Sequence, residues 1–355
     1  MKIILYGWLL VIVCFIPLNI FAQSREYISD SVFFYSGKDS VRIAGTVTKP
    51  FKGKKHKSII LISGTGKQDR DGTMGGVKLF SIIAEHLTKN GYLVLRMDDR
   101  GVGESTGDYA KSTTYDFAMD AISAVNFLRK YPGADPGQIG LLGHSEGGAV
   151  ICIAASLCKD VKFLISLSGL AMNGLDALIS QNEAIVNGSP LKDRDKIRSN
   201  EINGLMFKTA YQYADSLNLE EKLNETYTNW KRRDSAYFVT LGEQFDHFRF
   251  PIWSYSRQAA TPWYRFFIRY NAELYLSYVN VPVLAINGDR DNMVVPVNLD
   301  LWKRYTGRNG NNNVTIRLMS GLNHLLQPVS DKKEKTSGEV APEVLEIIRE
   351  WLAKY

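Results

Sequence analysis

The sequence predicts a doubly wound α/β protein with a mostly parallel sheet and a helical insertion ahead of its last two strands. Three observations carry this expectation. Short apolar runs without polar alternation recur along the chain, as strands buried on both faces of a parallel sheet require. Helical patterns separate these runs, and alternating strands and helices belong to this fold class. Between residues 173 and 276 the alternation stops, and afterwards it resumes.

Taken in order, "FFYSGKDSVRIAGTVT" (33–48) alternates apolar and polar residues and predicts an antiparallel opening hairpin. The runs "SIILIS" (58–63), "YLVLRMD" (92–98), "IGLLG" (139–143) and "VKFLISLS" (161–168) are expected as buried parallel strands. Between them "VKLFSIIAEHLTKNG", "YDFAMDAISAVNFLRKY" and "GGAVICIAASLCK" read as helices. Residues 173–276 hold charges and aromatics but no convincing buried strand. They are expected to form a mostly helical lid or cap over the strand ends, within a core made of 23–172 and 277–355. A separate domain is the plainer reading, disfavoured because strands return at "VPVLAING" (281–288) and "NVTIRLMS" (313–320). The closing "APEVLEIIREWLAKY" places Pro342 in a first helical turn and Val344, Ile347, Ile348, Trp351 and Leu352 on one face.

The first segment reads differently. "MKIILYGWLLVIVCFIPLNIFAQ" carries Lys2, then an apolar run, then the small Ala22 before Gln23. This is a secretory pattern, so residues 1–22 are expected to be a signal peptide and the protein periplasmic or secreted. A buried helix or membrane anchor is disfavoured, since no other run reaches membrane length. Lipid attachment at Cys14 is disfavoured by the bulky Val13 before it. After processing, no membrane contact is expected.

The chain has 355 residues, 45% hydrophobic and 23% charged, enough for a large core. Its net charge of +6 is scattered apart from "KGKKHK" (52–57) and "DKKEK" (331–335), which read as solvated loops. No basic stripe with interleaved aromatics appears, so no nucleic-acid partner is expected. Cys152 and Cys158 lie six residues apart on one predicted helix and point to different faces, which predicts free thiols.

The chemistry centres on "IGLLGHSEGGAV" (139–150), in which Gly143-His144-Ser145-Glu146-Gly147 matches G-x-S-x-G. Alone the motif is weak, and a flexible glycine turn would also explain it. Its place between a buried strand and a small-residue helix makes it a strained turn that exposes a serine hydroxyl. The amides and positive dipole end of the following helix lie near any developing oxyanion. Such a serine needs a base and an orienting carboxylate, which come later in the chain as acid and then histidine. Of the five histidines, only His324 follows the strand 281–288, in the loop "SGLNHLLQP" before the final helix. A lone loop histidine is usually a surface residue, but here no other occupies the required place. His144, beside the serine on the turn, is not expected to be the base. Asp289 and Asp291 both qualify as the acid by position; Asp291 lies further from the strand end, with room to turn towards His324. Asp289 would then serve the turn.

Oxyanion donors are expected from the Glu146 amide and from "GTGKQDRDG" after the 58–63 strand, with Thr65 first and Gly66 next. "GTGK" fails as a phosphate loop because Gln68 stands where Ser or Thr belongs and Leu61 where the first glycine belongs. "GVGESTG" (101–107) has the wrong glycine spacing for a dinucleotide site. No H-E-x-x-H or Cys/His cluster occurs, so neither metal nor cofactor is implied.

In order, "LISGTGKQDRDG", "RMDDRGVGES", "GLLGHSEGG", "TPWYRFFIRYNAELYL", "VPVLAINGDRDNMV" and "GLNHLLQ" resemble the serine-dependent α/β-hydrolase superfamily over roughly residues 40–355. Within it the chain is similar to bacterial exported or cytosolic carboxylesterases and to the dienelactone-hydrolase and serine-aminopeptidase branch. The resemblance implies Ser145 as nucleophile, Asp291 as acid and His324 as base. It makes Asp99 and Arg100 of "DDRGVGES" loop ties rather than chemical groups. Ser63 departs from the histidine that many such hydrolases carry before the oxyanion-loop glycine, which puts the detailed shape of the hole in question. Trp253, Trp263, Tyr264, Phe266 and Phe267 are candidates to line an acyl or alcohol pocket, against the plainer role of cap core. The expected substrate is a small or medium carboxylic ester. A serine peptidase or aminopeptidase acting on short peptides is the alternative, for which the insertion offers Glu183, Asp234 and Glu243 without visible arrangement. A non-catalytic binding protein is disfavoured by the complete Ser, Asp and His set.

Overall fold

A computed structural model of the chain describes residues 26–37, 40–241, 246–329 and 339–355. The expected signal peptide, Cys14, Glu243 and the 331–335 charge run lie outside the described residues. Two antiparallel strands open the fold, β1 (Tyr27–Ser36) and β2 (Val41–Pro50), paired with Phe33 opposite Ala44. Next come β3 (His56–Ile62), a short hairpin of β4 (Thr73–Met74) and β5 (Val77–Lys78), α1 (Leu79–Lys89), β6 (Leu93–Met97) and α2 (Thr114–Leu128). They are followed by β7 (Ala134–His144), α3 (Gly147–Leu157) and β8 (Val161–Leu167). The chain ends with β9 (Val283–Gly288), α10 (Asn298–Gly307), β10 (Val314–Met319) and α11 (Pro342–Leu352). The eight-stranded sheet runs β1-β2-β6-β3-β7-β8-β9-β10. β2 joins β6 antiparallel, and from β6 to β10 every pairing is parallel.

Burial follows the apolar runs that predicted the strands. Every residue of β9 and five in succession in β3 (Ser58–Ile62) are buried, whereas β10, at the sheet edge, buries none fully. One face packs against Ile83, Leu87, Ile348 and Trp351 of α1 and α11; the other packs against α2, α3, α10 and the segment Ala272–Leu276. Each Leu or Ile withdrawn from water here contributes about 1.5–3 kcal/mol. Local signals agree with the packing: Thr113 and Asp116 form a reciprocal capping box on α2, and Pro342 opens α11. Cys152 and Cys158 are both free thiols, the first buried.

Between β8 and β9 the described residues make six helices, α4 (Gly174–Asn187), α5 (Asp193–Gln212), α6 (Leu219–Leu241), α7 (Ile252–Ala259), α8 (Pro262–Ile268) and α9 (Ala272–Leu276). Residues of α5 to α8 pack into a cluster of their own around Ile202, Met206, Phe207, Tyr255 and Tyr264. α9 differs, because Ala272 and Leu276 belong to the sheet core. The two ends of the insertion are joined: the Gly174 amide donates to the Tyr270 carbonyl (2.9 Å) and the Ala272 amide to Asn173 Oδ1 (3.0 Å). A Cβ at Gly174 would lie 1.7 Å from the Phe267 carbonyl oxygen, so this junction admits only glycine.

Candidate active site

β7 delivers His144 and then Ser145, which has φ +57°, before α3 starts at Gly147. A serine held in the left-handed region costs about 1–3 kcal/mol, so its surroundings must fix it. They do: the Ser145 amide donates to the Leu167 carbonyl, and the Ser145 carbonyl accepts from the amides of Gly148 and Leu170. Close approach explains the flanking glycines. A Cβ on Gly143 would lie 2.3 Å from the Gly147 carbonyl oxygen, and one on Gly147 2.5 Å from that of Ile62.

Three side chains that are distant in sequence meet at this turn. Ser145 Oγ lies 3.0 Å from His324 Nε2, and His324 Nδ1 lies 2.9 Å from Asp291 Oδ2. Asp291 is buried, and its Oδ1 accepts from the amides of Met293 (2.8 Å) and Val294 (2.9 Å). The carboxylate is thereby aimed at the imidazole, leaving Nε2 to face the serine as acceptor. Asp289 turns away from the imidazole and accepts from the Gly321 amide (2.7 Å) and the Ser320 hydroxyl (3.3 Å), clipping the loop that carries His324.

His144 holds the same loop from below, with its Nε2 donating to the His324 carbonyl at 3.0 Å. Burial, reinforced by His324, lowers its pKa from 6.5 to about 3, so this ring stays neutral. Its role is to position the histidine loop.

The loop that begins at Gly64 abuts Ser145, since a Cβ on Gly64 would lie 2.8 Å from Ser145 Cβ. The amides of Thr65 and Glu146 donate to no partner among the described residues. Gly66 departs from expectation. Its amide donates to the Tyr109 hydroxyl at 2.7 Å, so it is already engaged and is corrected from a candidate donor to a loop anchor. Ser63, where the resemblance implied a different residue, donates to Asp99 Oδ1 at 2.5 Å. Asp99 also accepts from the Gln68 amide (2.9 Å), and Arg100 makes a two-pronged pair with Asp120. Burial raises the Asp99 pKa from 3.8 to about 7.

The Glu146 side chain was not foreseen. It is buried and accepts from Thr114 Oγ1 (2.7 Å), Thr65 Oγ1 (2.7 Å) and Trp263 Nε1 (2.8 Å). One carboxyl thus ties the Thr65 loop, α2 and the helical insertion together. Burial pushes its pKa upward while the three donors pull against it. The motif gave no hint of this, because the middle positions of G-x-S-x-G specify no side chain.

A pocket of about 440 Å³ opens onto Ser145 and His324. Trp263, Tyr264 and Phe267 of α8 line it, along with Phe207, Tyr255 and Leu170. Trp253 does not: it is 65% exposed on the outer side of α7. The helical turn explains this correction, since Tyr255, two residues on, points to the opposite side and into the pocket. Phe266 faces Tyr115 and the sheet core instead. Of the acidic residues weighed in the insertion, Glu183 does not line the pocket. Asp234 is engaged elsewhere, by Arg198 and by His247 Nδ1 at 3.0 Å. No group of three or more His, Cys, Asp or Glu suited to a metal ion occurs among the described residues.

A family model described as the alpha/beta hydrolase fold matches residues 57–329. The chain belongs to the α/β hydrolase fold family. This hydrolase-fold chain is 26% identical over 321 residues to the esterase EstD of Thermotoga maritima, covering 88% of the chain and 66% of that protein. It is 42% identical over 88 residues to the thiohydrolase AneE of Aspergillus aculeatus, covering 24% of the chain and 28% of that protein. The chain therefore spans less than two thirds of the length of either relative. Among solved structures, an esterase of Pyrococcus furiosus superposes with a TM-score of 0.58 at 17% identity, covering 93% of this chain and 92% of that one. The α/β hydrolase GrgF of Penicillium superposes at 0.56 and 16% identity, covering 92% and 98%. Both share the fold.

Proposed function

We propose that this α/β hydrolase cleaves carboxylic esters of small or medium acyl substrates through an acyl-enzyme on Ser145. The observation that carries the reading is the hydrogen-bonded chain from Ser145 Oγ through His324 to Asp291, at 3.0 and 2.9 Å, opening onto a largely apolar pocket. His324 Nε2 takes the serine proton as Oγ attacks the ester carbonyl, and Asp291 stabilises the imidazolium. The free amides of Thr65 and Glu146 receive the oxyanion, each worth about 3–4 kcal/mol to the transition state. The alcohol leaves with the proton from His324, and water releases the acid by the same route. One feature of the lining supports an ester over a peptide. Among the described residues the lining holds no carboxylate except Glu146, which three donors already engage, so none of them is free to draw a substrate ammonium group. Export through residues 1–22 is part of the same proposal.

The test uses p-nitrophenyl acyl esters and aminoacyl anilides on the chain from Gln23 onward, beside Ser145→Ala. Ester turnover that falls by on the order of 10⁴-fold in the variant is expected. Turnover that survives Ser145→Ala would sink the mechanism, and anilide cleavage without ester cleavage would replace it with a peptidase.

A further inference from the structure

Among the described residues one Lys or Arg lines the pocket, Arg249, and several other cations of the insertion are already paired with carboxylates. Arg198 is paired with Asp234, Arg269 with Asp215 and Lys231 with Asp246. Arg249 has no carboxylate partner among the described residues. Its Nη1 donates to Asn182 Oδ1 at 3.0 Å, and its guanidinium lies 5.4 Å from the centre of the Phe250 ring. Both neighbours are neutral, and both line the pocket that holds Ser145.

A guanidinium has five N–H donors, so a single bond to an amide oxygen leaves most of them for something else. Arg249 is exposed as a residue, and the partial burial of its side chain lowers its pKa by desolvation. A cation whose neighbours are neutral is open to an incoming anion, and the guanidinium fork matches a carboxylate in two-point geometry. Gln181 and Gln258 also line the pocket and add neutral donors and acceptors. Phe207, Tyr255 and Tyr264 supply apolar wall.

We propose that Arg249 is a specificity-determining residue that binds a carboxylate at the far end of the substrate, so that the preferred esters are amphipathic. Such a substrate has a scissile ester at Ser145, an apolar body against the aromatic wall and a negatively charged terminus at Arg249. The inference rests on the ester-hydrolase reading for its chemistry, though not for the binding itself. The same cation disfavours a substrate ammonium, which adds a repulsive term against aminoacyl substrates.

The test compares esters of matched length that differ only in terminal charge. On the acyl side, p-nitrophenyl hydrogen adipate and suberate are set beside p-nitrophenyl hexanoate and octanoate. On the alcohol side, carboxyalkyl acetates are set beside alkyl acetates. The readout is the ratio of kcat/KM for charged over neutral ester, which cancels any general loss of folded or active protein. The wild type should favour the charged ester on one of the two sides, and Arg249→Gln should lower that ratio by about tenfold. Arg249→Lys should keep part of it, and the exposed Arg317→Gln, on β10, should leave it unchanged. A wild-type ratio that does not favour charge on either side, or one equal in wild type and Arg249→Gln, overturns the proposal. Calorimetric binding of suberate separates this failure from failure of the hydrolase reading. Affinity lost in Arg249→Gln supports the site even if no ester is cleaved, and affinity unaltered by the substitution overturns it.

Discussion

Asp99 makes stability depend on pH in a direction opposite to that of an ordinary surface carboxylate. In the folded chain burial raises its pKa from 3.8 to about 7, whereas the unfolded chain keeps the ordinary value. Between those values the unfolded state has released a proton that the folded state retains. Stability from this group is therefore fully present below pH 3.8 and is lost as pH rises to about 7. The rise corresponds to roughly 4 kcal/mol in total, of which roughly 2 kcal/mol falls between pH 5 and 7. Asp99→Asn removes the titration and keeps both contacts, because the amide oxygen can accept from Gln68 and the amide N–H can donate to Ser63 Oγ. Urea unfolding of wild type and variant at pH 5, 6, 7 and 8 isolates the contribution, since every other titrating group is common to both. The variant should gain on the wild type steadily up to pH 7, and the difference should then level off. A stability difference that is constant across this range would refute the reasoning and place an ionised carboxylate at position 99 throughout.

Three other outcomes follow from the geometry. Trp263→Phe keeps a ring stacked on Phe267 but removes the donor to Glu146 Oε1. Thermal unfolding should show a loss of about 1–2 kcal/mol, and an unchanged melting curve would mean that the contact contributes nothing. Gly64→Ala places a Cβ 2.8 Å from Ser145 Cβ. It should cut kcat by on the order of 100-fold while circular dichroism stays native, and full activity would show that the oxyanion loop yields freely. His144→Phe removes the N–H that holds the His324 carbonyl. It should lower kcat by about tenfold and leave the pH dependence of kcat/KM unchanged. A shifted pH profile would instead give His144 a share in proton transfer.

The sequence made the meeting of Ser145, His324 and Asp291 legible because histidine is scarce. With five histidines in the chain and only His324 after the strand that ends at Gly288, elimination reached the residue found 3.0 Å from Ser145. Asp291 was within reach for a related reason, as only two carboxylates follow that strand closely. Contacts made by side chains distant in sequence were not legible. Tyr109 takes the Gly66 amide from another loop, and no periodicity marks a hydroxyl that will do so. Trp253 looked like pocket lining because it is large and aromatic, yet helical phase, not residue type, decides which way a side chain points. Glu146 and Arg249 were invisible for the same reason. Both depend on which neighbours surround a buried carboxyl and a pocket-lining cation, and composition does not record neighbours.

The insertion leaves the core after β8 and returns before β9, two strands that lie side by side, and its ends are hydrogen-bonded to each other at Gly174 and Asn173. It is therefore a closed graft, attached at a single seam, whose contents can be rewritten without re-threading the sheet. Ser145, His324 and Asp291 stand on the permanent side of that seam, and Arg249 and the aromatic wall of α8 stand on the exchangeable side. Selection on diet and selection on chemistry can then proceed in separate parts of the chain. Glu146, bonded to Trp263 across the seam, is one address at which a replacement graft would have to fit.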